Sequence, residues 1–271
     1  MIKNRVKEIK KQGYTIIPNV ISEKECEKYK NLLEGYYKKY SSRYANLFKK
    51  RTVADKTYEK VVYNLHNKDL VWFKLFENNL VTKILNIILK EGSYKNNEPY
   101  YLNNISARCP LEGSKGQPIH LDSNLPGVNY NLVTNVIWYF DDVNKKNGTT
   151  LIVPKSHKYQ KYANNNKQIK NLKYINAKKG SVLIFNANLW HGGSAKYDNN
   201  SRWALILGYA RWFIKPSFDF MKNTPRKTFN ELTKKQKSLL GFDMVPPKDE
   251  FSRLSRRSKV HEIPDNYKID V

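Results

Sequence analysis

Residues 117–124 read QPIHLDSN, and the fold turns on how His120 and Asp122 are presented. In a strand, residues i and i+2 point to the same face; in a helix they lie about 200° apart. The pair therefore offers one imidazole and one carboxylate to a common point only if the chain is extended. Such a pair is two of the three ligands of a 2-His-1-carboxylate iron site. It is equally the ordinary polar end of a strand, since short H-x-D patterns arise by chance. A third ligand elsewhere in the chain separates the two readings.

Working outward, the texture from about residue 100 is that of an all-β core. YYLNNISARC, NLVTNVIWYF, TTLIVP, SVLIF and WALILGYARWF are short β-branched and aromatic runs, separated by the turn-rich PLEGSKGQP, DDVNKKNG and AKYDNN. Short strands at this spacing predict a β-sandwich or jelly roll. The run SVLIF leads into NANLWHGGS, so His191 stands at the edge of the same β region, before two glycines that let the backbone pass close to a bulky centre. Arg202 follows at the start of the apolar strand RWALILGYARWF. If His191 ends one strand and Arg202 opens the next, the intervening hairpin returns the arginine to the histidine. A guanidinium there can hold a carboxylate through a bidentate pair. Metal at one end and guanidinium at the other is what 2-oxoglutarate requires.

The flanking regions read as helical. SEKECEKYKNLLEGYYKKY (22–40) carries a capping-box pattern, Ser22 with Glu25 three residues on. GYTIIPNV before it is strand-like. DLVWFKLFENNLVTKILNIILK (69–90) has Trp72, Phe76, Leu80, Ile84 and Ile88 at steps of four, which predicts one helix with a core-facing stripe, capped by Asp69 and ended near Gly92. FNELTKKQKSLLGF is a further helical piece ending at Gly241, and the tail with Pro246, Pro247 and Pro264 is irregular. Residues 41–60 form a polar stretch without periodicity, a candidate substrate lid.

Of the 271 residues, 40% are hydrophobic, enough for a sizeable core, with no internal repeat and no linker that separates two domains. No apolar run is long enough to span a bilayer, and Pro18 interrupts the only short apolar stretch near the N-terminus, so a cytoplasmic location is expected. Cys26 and Cys109 form no C-x-x-C and read as reduced thiols. The net charge of +25, from 49 Lys and Arg against 24 Asp and Glu, admits a polyanionic partner. It is also explained by a Lys-, Asn-, Ile- and Tyr-rich composition of the kind AT-rich codons encode, as in YANNNKQIKNLKY. The charge is spread rather than blocked, with short clusters at TKKQK and LSRRSKVHEIP, so nucleic acid is not the expected partner.

The order of these elements resembles the phytanoyl-CoA dioxygenase family of Fe(II)/2-oxoglutarate oxygenases over about residues 13–242. GYTIIPNVISEKECEKYK is similar to the family's opening strand and helix. IHLD is similar to its H-x-D, and WYFDDVNKKNGTTLIVPKSHK to its central strand, Asn-Gly turn and Pro-x-Ser-His stretch. KKGSVLIFNANLWHGGS resembles the distal-histidine strand, Arg202 falls at the H-x10-R position, and LTKKQKSLLGF resembles a frequent C-terminal helix. The resemblance implies a double-stranded β-helix, that is, a jelly roll with flanking helices. It implies one domain over 1–271: 1–95 mostly helical, 96–215 the jelly-roll core, 216–271 a helix and irregular tail.

The resemblance further implies Fe(II) on His120, Asp122 and His191, and 2-oxoglutarate anchored by Arg202, with Gln117 and Ser194 as further cosubstrate contacts. O2 would be consumed and succinate and CO2 released. Related halogenases replace the carboxylate ligand with a small residue, so Asp122 favours hydroxylation. A small and, given the charge, anionic metabolite is the expected substrate, with Arg108, Lys115 and Arg211 as candidate contacts. A macromolecular or carrier-tethered substrate, or a non-catalytic binding protein retaining the fold, are the alternatives. His157 reads as structural, His66 and His261 as surface or loop residues, and Trp190 as packing.

Overall fold

The computed structural model describes residues 1–48, 59–93, 99–123, 125–127, 130–243 and 249–251. Two antiparallel sheets form the core. The larger has six strands in the order β1 (Tyr14–Ile17), β7 (Val182–Asn186), β4 (Val133–Tyr139), β9 (Ala204–Arg211), β3 (Tyr100–Pro110) and β2 (Glu59–Tyr63). The smaller is β6 (Lys173–Tyr174), β5 (Thr150–Ile152) and β8 (His191–Gly193). This is the jelly roll with flanking helices that the sequence implies.

The period-two patterning explains both faces of the large sheet. Val136 and Trp138 of β4, Val182 and Ile184 of β7, and Leu205, Leu207 and Tyr209 of β9 pack into the cluster shared with the helices. The alternate residues Ile137, Tyr139, Leu183, Phe185 and Ala204 pack against Ile152 and Ile175 beside the small sheet. Each strand residue is thus committed to a face by position. Trp138 and Trp203 are completely buried, and truncating a side chain of that size to Ala costs about 3–5 kcal/mol.

The helices cover the outer face. α1 (Ile2–Gln12), which the sequence reading passed over, ends at Gly13 in the left-handed region, with φ 93°. A Cβ there would overlap Leu189 and His157. α2 runs from Glu23 to Phe48, beyond the expected end at 40, and both arms of the Ser22–Glu25 capping box form. Residues 41–48 are therefore helical rather than part of a lid loop, residues 59–60 open β2, and 49–58 lie outside the described residues.

The expected single helix over 69–90 is divided. A short 3-10 turn (Leu70–Trp72), capped by Asp69, and α3 (Phe73–Phe76) precede α4 (Asn79–Leu89). The Asn78 side chain accepts from the Leu80 and Val81 amides, capping α4 and stopping the preceding turn. C-terminal to β9 lie α5 (Phe220–Asn223), α6 (Arg226–Glu231) and α7 (Lys234–Leu239), so the expected helix from Phe229 to Gly241 is also two pieces, split at the Thr233 capping box. Pro246, Pro247, His261, Pro264 and LSRRSKVHEIP lie outside the described residues. Both cysteines are free and buried. Among the described residues no helix is long and apolar enough to cross a membrane.

Candidate metal centre

His120 and His191 face each other across an antiparallel bridge. The His120 amide donates to the His191 carbonyl at 2.8 Å, and the His191 amide to the His120 carbonyl at 2.9 Å. Residues paired in this way carry their side chains on the same face. The two imidazoles accordingly lie 4.4 Å apart, centroid to centroid. Ile119 and Leu121 point the other way, into an apolar cluster with Leu151, Val153 and Trp190. His120 and Asp122 therefore share the inner face, as the extended reading of HLD requires. The His120–Asp122 and His191–Asp122 nitrogen–oxygen distances are both 3.3 Å, and the three ligand atoms lie within 4.8 Å of one another.

The backbone supports this arrangement closely. The Asp122 amide donates to Ala187 O at 2.9 Å, tying the H-x-D segment to the end of β7. On its outer side, the Asn165 carboxamide takes the Ile119 N–H at 2.8 Å and donates back to Ile119 O at 2.9 Å. His191 opens β8 just after a turn braced by Gly13, whose carbonyl accepts from the Asn186 amide, and by the Ser156 hydroxyl, which accepts from the Trp190 amide. Trp190 itself packs against Tyr159 and donates to Lys161 O.

Both imidazoles are held in one tautomer. His120 Nδ1 lies 2.8 Å from Pro118 O, and His191 Nδ1 lies 2.9 Å from Leu189 O. A carbonyl only accepts, so each Nδ1 carries the proton and each Nε2 presents a lone pair. Two lone pairs and a carboxylate then converge on one point, which repels unless positive charge sits between them. Burial alone would raise the Asp122 carboxyl, yet His191 and His120 hold it well below the usual carboxylate range. Burial likewise opposes charge on His120, but Asp122 and the Pro118 carbonyl raise it above the ordinary histidine value. The donor set of two imidazoles and one carboxylate, with its outer nitrogens bonded to carbonyls, fits a divalent transition metal.

The pocket containing these residues runs between the sheets and is also lined by Gln117, Ser194 and Arg202. Arg202 is buried at 6% exposure. One guanidinium nitrogen donates to Gly148 O, while its Nε has no partner, and among the described residues no carboxylate pairs with it. Burial lowers the Arg202 pKa, but a guanidinium stays charged. Thr150, joined to the Tyr139 hydroxyl behind it at 3.0 Å, also lines the pocket. Gln117 bonds β8 through its amide to Gly193 O at 2.9 Å, and Ser194 is buried with its amide on Thr149 O at 2.8 Å.

The other candidates separate. Arg108 lines the pocket, paired at 3.0 Å with the buried Glu59. Lys115 is exposed and does not line it. Arg211 is neither at the site nor on the surface: it is buried and donates to the Asn131, Leu89 and Glu91 carbonyls, closing the end of α4. His157 bonds Lys10 O. His66, expected at the surface, is fully buried against Phe220 with its Nε2 2.7 Å from Asn223 Oδ1, and burial lowers its pKa to about 4.

Asn135, Tyr139, Thr150 and Asn165 escaped the sequence reading. Only the inward phase of Asn135 and Tyr139 on NLVTNVIWYF could have marked them.

A family model described as phytanoyl-CoA dioxygenase (PhyH) matches residues 9–203. The dioxygenase af480 of Aspergillus fumigatus is 23% identical over 243 residues, 88% of this chain and 76% of that protein. Among solved structures, HygX from Streptomyces hygroscopicus with nickel and 2-oxoglutarate bound superposes with a TM-score of 0.62 at 16% identity, covering 79% of this chain and 89% of that one. The epimerase SnoN, in complex with Fe3+, alpha ketoglutarate and nogalamycin RO, gives 0.60 at 14% identity, covering 83% and 90%. At these identities the structural likeness establishes the fold.

Proposed function

The chain belongs to the phytanoyl-CoA dioxygenase family and is an Fe(II)/2-oxoglutarate-dependent oxygenase; from that premise we propose that it hydroxylates a small metabolite. In this reading His120, Asp122 and His191 hold the iron, Arg202 holds the far carboxylate of 2-oxoglutarate, and Gln117 and Ser194 line the cosubstrate's path. Iron with 2-oxoglutarate and O2 supplies the oxidising power, with succinate and CO2 released. The rest is the work of the chain.

The Pro118 and Leu189 carbonyls fix the tautomers and orientation of the imidazoles. Arg202, buried and without a carboxylate partner among the described residues, is poised for a bidentate anion. Ile137, Phe185, Ala204 and Ile206 form an apolar wall that limits water at the reacting centre. The Asp122 carboxylate fills the position that a halide would need, which supports hydroxylation over halogenation. Arg108 is the cation available to an anionic group on the substrate. HygX, which has the same fold, has been crystallised with hygromycin B bound, which supports a small-molecule substrate. Residues 1–271 are taken as one oxygenase domain, supported by a single buried cluster that runs from Val6 to Leu240.

The observation that carries the reading is the buried Arg202, with no carboxylate partner among the described residues, in the same pocket as the three converging ligands. Anaerobic titration of the Fe(II)-loaded protein with 2-oxoglutarate tests it. A visible charge-transfer band is expected, lost in His120→Ala and His191→Ala and altered in Asp122→Ala. Iron uptake without a band removes the cosubstrate assignment, and undiminished iron uptake in both histidine variants removes the site.

A further inference from the structure

Asn135 lies at the centre of the large sheet, on β4, opposite Phe185 of β7 and Gly208 of β9. It is 4% exposed, and its Nδ2 donates to Asp122 Oδ2 at 2.7 Å. Asp122 stands beyond any regular strand, on a turn, its side chain 40% exposed and its amide held by the Ala187 carbonyl. Its carboxylate is free to rotate about Cβ–Cγ unless something outside the turn fixes it. Beyond the two histidines, Asn135 is that group: it projects from a strand paired on both sides, and its side chain meets the triad at Asp122 Oδ2.

We propose that Asn135 is a positioning residue for the metal centre, one that holds the Asp122 carboxylate in the plane in which it faces both His120 and His191. The inference rests on the metal-site reading above. A carboxylate oxygen that accepts an amide N–H has less electron density to give, so the bond also biases Asp122 towards ligation through its other oxygen. A carboxylate left to swing would add a second oxygen to the metal and take a position that cosubstrate or O2 needs. Hydrogen bonds of this kind behind a ligand change metal affinity by about 10–100-fold.

The test uses Co(II) as a spectroscopic probe on the full chain, with Asn135→Leu, which keeps the branched shape and removes the donor, and Asn135→Ala in case the larger leucine does not fold. In whichever variant retains the wild-type circular dichroism, Co(II) affinity should fall about 10–100-fold and the visible d–d bands should shift, because the ligand field reports carboxylate orientation where a purely structural role would leave it unchanged. Wild-type affinity and unshifted bands in a folded variant overturn the inference. Wild-type protein that takes up no Co(II), or takes it up equally after His120→Ala, overturns the metal-site reading itself.

Discussion

Replacing Arg202 with leucine should separate stability from cosubstrate binding. The guanidinium is buried, has one carbonyl partner and leaves its Nε unpaired. A bidentate carboxylate would gain two hydrogen bonds to a charged group, each worth about 1.5–3 kcal/mol. Their loss, about 3 kcal/mol at the low end, weakens 2-oxoglutarate on the order of 100-fold. At a concentration one hundred times the wild-type Kd, ligand stabilises the wild type by about 2.7 kcal/mol. For a chain of this length that is a rise in Tm of roughly 5 °C. The leucine variant, then near its own Kd, gains about 0.4 kcal/mol, or roughly 1 °C. Without cosubstrate the variant should melt within a few degrees of wild type, because removing an unpaired buried charge offsets the lost Gly148 contact. Anaerobic thermal melts of the Fe(II)-loaded proteins, with and without 2-oxoglutarate, read all four states. An equal cosubstrate shift in both proteins would refute the assignment of Arg202.

Two further outcomes follow from the fold. His66 has a folded pKa near 4 against an ordinary value of 6.5, so between those pH values the unfolded chain binds a proton that the folded chain refuses. Stability is pH-independent from this group above 6.5 and falls as pH drops towards 4, by up to about 3 kcal/mol; His66→Gln should flatten the Tm-against-pH curve over that window, and parallel curves would refute the assignment. Gly116 has φ 78°, and a Cβ there would overlap the Gly193 carbonyl and the Ser194 backbone, whereas Gly113, at φ 82°, has open space around it. Gly113→Ala should cost only the left-handed strain, about 1–2 kcal/mol, while Gly116→Ala should cost more and also weaken Co(II) binding by parting Gln117 from β8; equal losses in urea melts would show that the close approach is unimportant.

What the sequence made legible was local or periodic. HLD needs only an extended backbone to put its two polar residues together, and the bridge to His191 supplies it. The Ser22–Glu25 box is a four-residue interaction, complete in its own segment. The step-four ladder through Trp72 and Ile84 correctly marked buried residues, but not the break at Asn78, where a side-chain cap outcompetes helix continuation. His66 could not be read at all, because the asparagine that satisfies it lies 157 residues away. Asn165 stood in a run explained by composition, YANNNKQ, yet it holds the outer edge of the metal-binding segment. Periodicity gives the face of a strand; it does not say which polar group waits across the cavity.

The charge balance of the pocket bears on the substrate more directly than the net charge of +25 does. The excess cations lie on exposed faces, such as Lys3, Lys7, Lys10 and Lys11 of α1 and Lys234 and Lys235 of α7. At physiological salt, charges there are screened beyond about 8 Å. Inside the pocket the ionisable residues other than the two histidines are Arg108, Arg202, Glu59 and Asp122, which cancel. A divalent iron adds two positive charges and the 2-oxoglutarate dianion removes them, so the loaded site is neutral before substrate arrives. A neutral substrate preserves that balance. An anionic one would meet Arg108, which bonds Glu59 through a single guanidinium nitrogen at 3.0 Å and has further N–H donors to offer a second anion. Whatever charge a substrate brings into the pocket is met first by the Arg108–Glu59 pair, with a cation at one end and a carboxylate at the other, rather than by the basic surface.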